Sequence, residues 1–129
     1  MSGFVAGIVG GLLLLAGIVL DGGLALGAKV RALNEAQEAA RSGAQQLDLA
    51  AYRRNGAVRL DHARARTAAL AYIAATPDTA TVAVSGNTVT VVVHAVQPAQ
   101  VLGLAGVGAF RVSGRATAMA QRGVTGVLQ

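Results

Sequence analysis

Residues 4–20 read FVAGIVGGLLLLAGIVL, and from Phe4 to Leu20 there is no charge, no proline and no strongly polar side chain. A bilayer core is crossed by about 20 apolar helical residues, and roughly 17 suffice. The run closes at Asp21 and can continue through Gly22, Gly23, Leu24, Ala25 and Leu26 if that carboxylate sits near a boundary. A removed signal peptide would have a basic start, a shorter apolar core and a small-residue cleavage site followed by a polar mature start. Met1-Ser2-Gly3 contains no Lys or Arg, and the helical pattern runs on beyond Leu20. The segment is therefore read as a retained stalk helix, embedded in lipid or in an assembly, carrying a small head.

Two features of the stalk invite a functional reading. Gly3, Gly7 and Gly11 recur every four residues, and Gly23 and Gly27 repeat the interval. Residues i and i+4 share a helix face, and glycine there lets a second helix approach closely. These five are the candidate helix-packing and oligomerisation residues, although glycine is also common in membrane helices generally. Asp21 has two readings: the point where the stalk leaves lipid, or a charge paired with a cation on a neighbouring subunit. A carboxylate at mid-bilayer costs on the order of 3 kcal/mol, and less near the interface.

Beyond Leu24 a helical period persists to about Arg53, with Leu26, Val30, Leu33, Ala40, Ala44, Leu47 and Ala51 near one face. Ser42-Gly43 is a weak spot in it. Asn55-Gly56 makes a turn, and Asp61 caps a second helix, His62 to Ala75, whose apolar side is Ala65, Ala68, Ala69, Tyr72 and Ile73. Pro77-Asp78 stops it. The period then changes to two: Ala80, Val82 and Val84, then Val89, Val91, Val93 and Ala95, flank Ser85-Gly86-Asn87-Thr88, which predicts a β-hairpin. A third strand is expected from Phe110 to Gln121, with Phe110, Val112, Gly114, Ala116 and Ala118 on the helix side. Between the last two strands, Val101 to Phe110 (VLGLAGVGAF) has no charge and is too short to span a bilayer. It is either a buried helical crossover or an exposed patch that meets lipid or another subunit. The fold class is α+β: a long N-terminal helix, a second helix and a three-stranded antiparallel sheet.

Composition narrows the chemistry. Aromatics are 3% of the chain, so its core must be Val, Ala and Leu, with Tyr52, Tyr72 and Phe110 as the few large pieces. There is no cysteine, which excludes disulfides and thiolate metal sites. His62 and His94 are the only histidines, too few for a metal shell of three or four ligands. Asp48 and Asp61 read as a surface residue and a cap, not as an acid/base pair. Gly103, Gly106 and Gly108 lack phosphate-loop spacing. No catalytic residue, cofactor, metal or small-molecule substrate is expected. The net charge of +5 points to anionic partners, and Arg53, Arg54, Arg59, Arg64 and Arg66 are its densest stretch. A nucleic-acid surface would add stacking aromatics, and Tyr52 alone does not supply them. These arginines are read as a solvated face.

Residues 1–47 carry a family resemblance: an apolar N-terminal helix, Asp21-Gly22, a basic residue ten positions on (Arg31), then Glu38-Ala39-Ala40 and Gly43-Ala44. This pattern resembles the TadE/TadG-like proteins of tight-adherence (Flp-type) pilus and secretion systems, which are similar to minor pilins or pseudopilins. The head, with SGNTVTVVV and a Leu-Gly-rich connection, is similar to actinobacterial members. The resemblance implies a pilin-like structural or assembly subunit without enzyme activity. Its partners would be the membrane, other copies or related pilin-like subunits, and the pilus-assembly machinery. It would sit in the cytoplasmic membrane by a single pass with the head outside, or in an extracellular filament. Residues 1–28 would be the stalk, 29–121 the head and 122–129 a tail. Gly3-Phe4 looks like a processing junction, but no basic leader precedes it, and the fifth residue from Phe4 is Ile8 where many pilins have Glu. Lys29 and Arg31 would favour a head on the inside, whereas the resemblance implies the outside, and the latter is followed. Two other functions compete. One is a monomeric anchored domain binding anionic wall polymer or lipid, and the other a glycine-rich channel.

Overall fold

Helix α1 runs unbroken from Ser2 to Ala44, 43 residues, or about 65 Å. The computed structural model describes residues 1–120. No proline interrupts α1, and alanine, the best helix former, is the commonest residue of its second half. It ends beside the weak Ser42-Gly43 pair, earlier than the periodicity suggested. A short α2, Leu49–Asn55, follows as a separate helix, capped by the Asp48 carboxylate accepting from the Ala51 amide at 3.1 Å and closed by Gly56 at φ +68°. The Asp61 carboxylate caps α3, His62–Ala74, by accepting from the Arg64 amide.

Strands β1 (Thr79–Ser85), β2 (Thr88–Pro98) and β3 (Ala109–Met119) form one antiparallel sheet in the order β1-β2-β3. The β1–β2 turn is Gly86-Asn87 with Ser85 opposite Thr88. Gly86 lies at φ +57° while, among the described residues, no non-glycine residue has positive φ, the pattern of a tight type II′ hairpin. The expected third strand stops at Met119; Gln121 and the tail 122–129 lie outside the described residues.

Helices α1 and α3 pack on the inner sheet face. Val89, Val91 and Val93 of β2 are fully buried, and each contributes about 1.5–3 kcal/mol through burial. Their helix partners are small: Ala32, Ala36, Ala39, Ala40, Ala65 and Ala69 are all at 0% exposure. This corrects the expected face of α1. Leu26 and Val30 point outward, 65% and 50% exposed. The reason is distance: a side chain on Gly114 of β3 would come within 2.6 Å of the Ala32 carbonyl carbon, so the helix backbone lies almost on the strand. Only small side chains fit that seam. Tyr52 and Tyr72, expected in the core, are at the surface, 45% and 40% exposed.

Candidate functional site

The seam on α1 runs Gly17, Asp21, Ala28, Ala32, Ala36, Ala39, Ala40 and Gly43, at intervals of three, four or seven apart from the adjacent pair Ala39-Ala40. It has two ends with different chemistry. At the head end, Gly43 faces the Ala65 carbonyl oxygen and Val89, where a side chain would sit 3.0 Å and 3.1 Å away. Arg31 reaches across to Asp78 (Nε–Oδ2 3.3 Å) and down its own helix to Glu35 (3.6 Å). Lys29 donates to the Ser113 carbonyl. Glu35 is the cluster's odd member. Its Oε2 is buried without a hydrogen-bond partner, and burial, reinforced by the neighbouring Asp78 carboxylate, pushes its pKa up to about 7 against the pull of Arg31. Glu38 stays on the surface, paired with Arg41 at 3.0 Å.

At the other end, α1 leaves the head. Phe4, Val5, Ile8, Val9, Leu12 to Leu15, Ile18, Val19 and Leu20 are all exposed. Covering the roughly half of each that is open, at about 1 kcal/mol apiece, gives on the order of 10 kcal/mol. That rivals the whole stability of a small domain, so this surface calls for a cover other than water. Among the described residues, α1 is the one helix long and apolar enough to cross a membrane. Ser2 to Leu20 spans about 28 Å, against a hydrocarbon core of about 30 Å.

Asp21 has a place that neither sequence reading contained. It is 1% exposed, and its carboxylate accepts from three consecutive amides of the β2–β3 connection: Gln100 (3.0 Å), Val101 (3.2 Å) and Leu102 (2.7 Å). The connection makes a 3₁₀ turn over Leu102–Ala105, closed by Gly106 at φ +98°. Apart from that short turn it is not a helical crossover, and it is an exposed patch instead of a buried one: Leu104 is 92% exposed. Val101 packs on Gly17, where a side chain would meet its Cγ1 at 2.7 Å. Gly17, the glycine that the spacing argument passed over, is thus the one in the stalk that the chain itself uses.

Gly3, Gly7, Gly11, Gly22, Gly23 and Gly27 have open space around them. At 100° per residue, Gly7 and Gly23 lie about 160° apart, so the two glycine sets occupy different sides of the helix. Of the remaining motif residues, Ala39 and Ala40 are fully buried and Ala44 half-buried in the seam. Asn87, which the sequence marks only as a turn residue, has a second part to play. Its side chain accepts from the Leu60 amide and donates to the Val58 carbonyl, pinning the hairpin turn to the segment before α3. A lone turn asparagine gives no signal of such a partner. His62 bonds the Gly86 carbonyl, and His94 lies exposed on the outer sheet face. Arg53, Arg54, Arg59 and Arg64 are exposed, at the end of the head away from the stalk.

Together these features define a class: a small α+β head riding on a long N-terminal helix whose free half has the length and composition of a membrane span. Residues 1–46 match the model of the Flp pilus-assembly TadE/G-like family. The match ends two residues beyond α1, covering the stalk and its seat and leaving α2, α3 and the sheet unmatched. No curated protein and no solved structure matches the chain.

Proposed function

We propose that this chain is a structural subunit or assembly component of a tight-adherence (Flp-type) pilus or secretion pseudopilus, with no enzymatic turnover. Residues 1–28 act as the stalk, first held in the cytoplasmic membrane and then packed against neighbouring stalks. Residues 29–121 act as the head, on the outer side. The observation that carries this reading is the uncovered apolar half of α1 within the very segment that matches a pilus-assembly family. Gly3, Gly7 and Gly11 form the stalk-to-stalk face, supported by the absence of any intrachain neighbour within 4 Å of a side chain there. The test is to shear cells that make the chain and to image the sheared fraction by electron microscopy. Filaments containing the chain are expected. A chain that is freely water-soluble and monomeric at full length overturns the proposal.

A second reading, an anchored binder of anionic polymer, draws on the arginine-rich pole. An unbroken helix puts that pole, near the end of α1, about 35 Å from Asp21. This exceeds the ~8 Å range of electrostatics in physiological salt several-fold. The pole is therefore out of reach of the lipid that holds the stalk, and the polymer version of this reading is the stronger one. Salt-sensitive capture on anionic wall polymer, lost on reversing Arg53 and Arg54, would favour it over the filament.

A further inference from the structure

We infer that the β2–β3 tip, Val101 to Val107, is a second membrane-immersed element, an apolar wedge that Asp21 clamps against the stalk and that sits among the acyl chains of one leaflet. The inference rests on the proposal that α1 is a membrane anchor.

Four observations carry it. The first is continuity: Leu102 and Leu104 share an apolar groove with Gly10, Leu13 and Leu14, so the tip extends the same surface that the stalk offers to lipid. The second is depth. Leu13 and Gly10, which line that groove, lie about 12 Å and 16 Å along the helix from Asp21, which is one leaflet of a ~30 Å core.

The third is hydrogen bonding. Backbone in lipid must find its partners within the protein. The amides from Ala99 to Leu102, and those of Leu104, Gly106 and Val107, all have them: Asp21 takes three, and carbonyls of the connection take the others. The carboxylate is in turn spread over three donors, which makes a charge tolerable at that level. The fourth is the surface itself. Val107 and Leu104 are exposed, and no charged residue occurs between His94 and Arg111. Just on the head side stand Lys29 and Arg111, both exposed. An apolar tip backed by cations is the signature of an interfacial element that meets anionic headgroups.

The chain has no cysteine, so single cysteines can carry an environment-sensitive fluorophore in the full-length protein. Leu104→Cys, Leu14→Cys and Thr90→Cys are reconstituted in phosphatidylcholine–phosphatidylglycerol vesicles containing lipids with a nitroxide on the acyl chain. Labels at 104 and 14 should both be quenched about threefold more than at 90, and both should be shielded from aqueous iodide. Asp21→Ala should release the tip, halving the quenching at 104, roughly speaking, while leaving 14 unchanged. Quenching at 14 with iodide access at 104 overturns the wedge and leaves the anchor intact. A label at 104 that is shielded from both quenchers, and increasingly so as protein is added, overturns it in favour of a second copy. No quenching at 14 overturns the anchor reading and the wedge with it. Unaltered quenching at 104 in Asp21→Ala overturns the clamp.

Discussion

The two halves of α1 are one helix built on opposite rules. From Phe4 to Leu20 its large aliphatic side chains are exposed, while from Ala28 to Gly43 the buried positions are alanine and glycine. Size and burial are inverted within a single element. Hydrophobicity alone therefore does not say which part of a helix is core. What decides is how closely the partner comes: the sheet lies against the second half almost at backbone contact, and the first half waits for a partner outside the chain.

Substitutions can break this contrast. The largest effect is expected at Gly114, where any side chain runs into the Ala32–Leu33 backbone. Gly114→Val should destabilise the head by about 3 kcal/mol or more, read by denaturant unfolding in detergent. Next comes the same kind of deletion made in both halves. Val91→Ala, in the fully buried row, should cost about 2 kcal/mol, whereas Leu13→Ala should leave head unfolding unchanged and instead weaken membrane retention.

A smaller effect is expected from pH. Glu35 titrates near 7 in the fold against an ordinary 4.5, so the native state holds a proton that the unfolded chain gives up across that window. Stability should be full below pH 4.5, fall as pH rises to about 7, and stay level above it. Glu35→Gln should flatten the curve in a melting series at several pH values. The smallest change in stability, within about 0.5 kcal/mol, is expected for Gly7→Leu. There the readout is crosslinking between copies, which should drop. A Gly7→Leu variant that crosslinks as well as the parent removes the glycine face from the proposal.

Much of the architecture was legible because it rests on local rules. The hairpin announced itself through valines at period two around Gly86-Asn87, and α3 through the Asp61 cap. The face assignment of β3 also held, since Val112, Gly114, Ala116 and Ala118 do turn inward. The exposed face of α1 was misjudged because periodicity weights Leu26 and Val30 above alanine, and only the seam's tightness reverses that order. The candidate site was legible in one part: the apolar run and the motif through Ala44 stood out. The pairing of Asp21 with amides about 80 positions away did not, since nothing near either segment signals the other.

By itself, then, the sequence determined the elements, their amphipathic patterning and the presence of a long uncovered apolar helix, because each depends on residues within a few positions of one another. The tertiary structure alone decided which glycines are pressed against neighbours, where the Asp21 charge is spent, and that Arg31 and Glu35 share Asp78. Those outcomes depend on the close approach of α1 to β3 and on where the β2–β3 connection comes to rest, distances that no local pattern encodes.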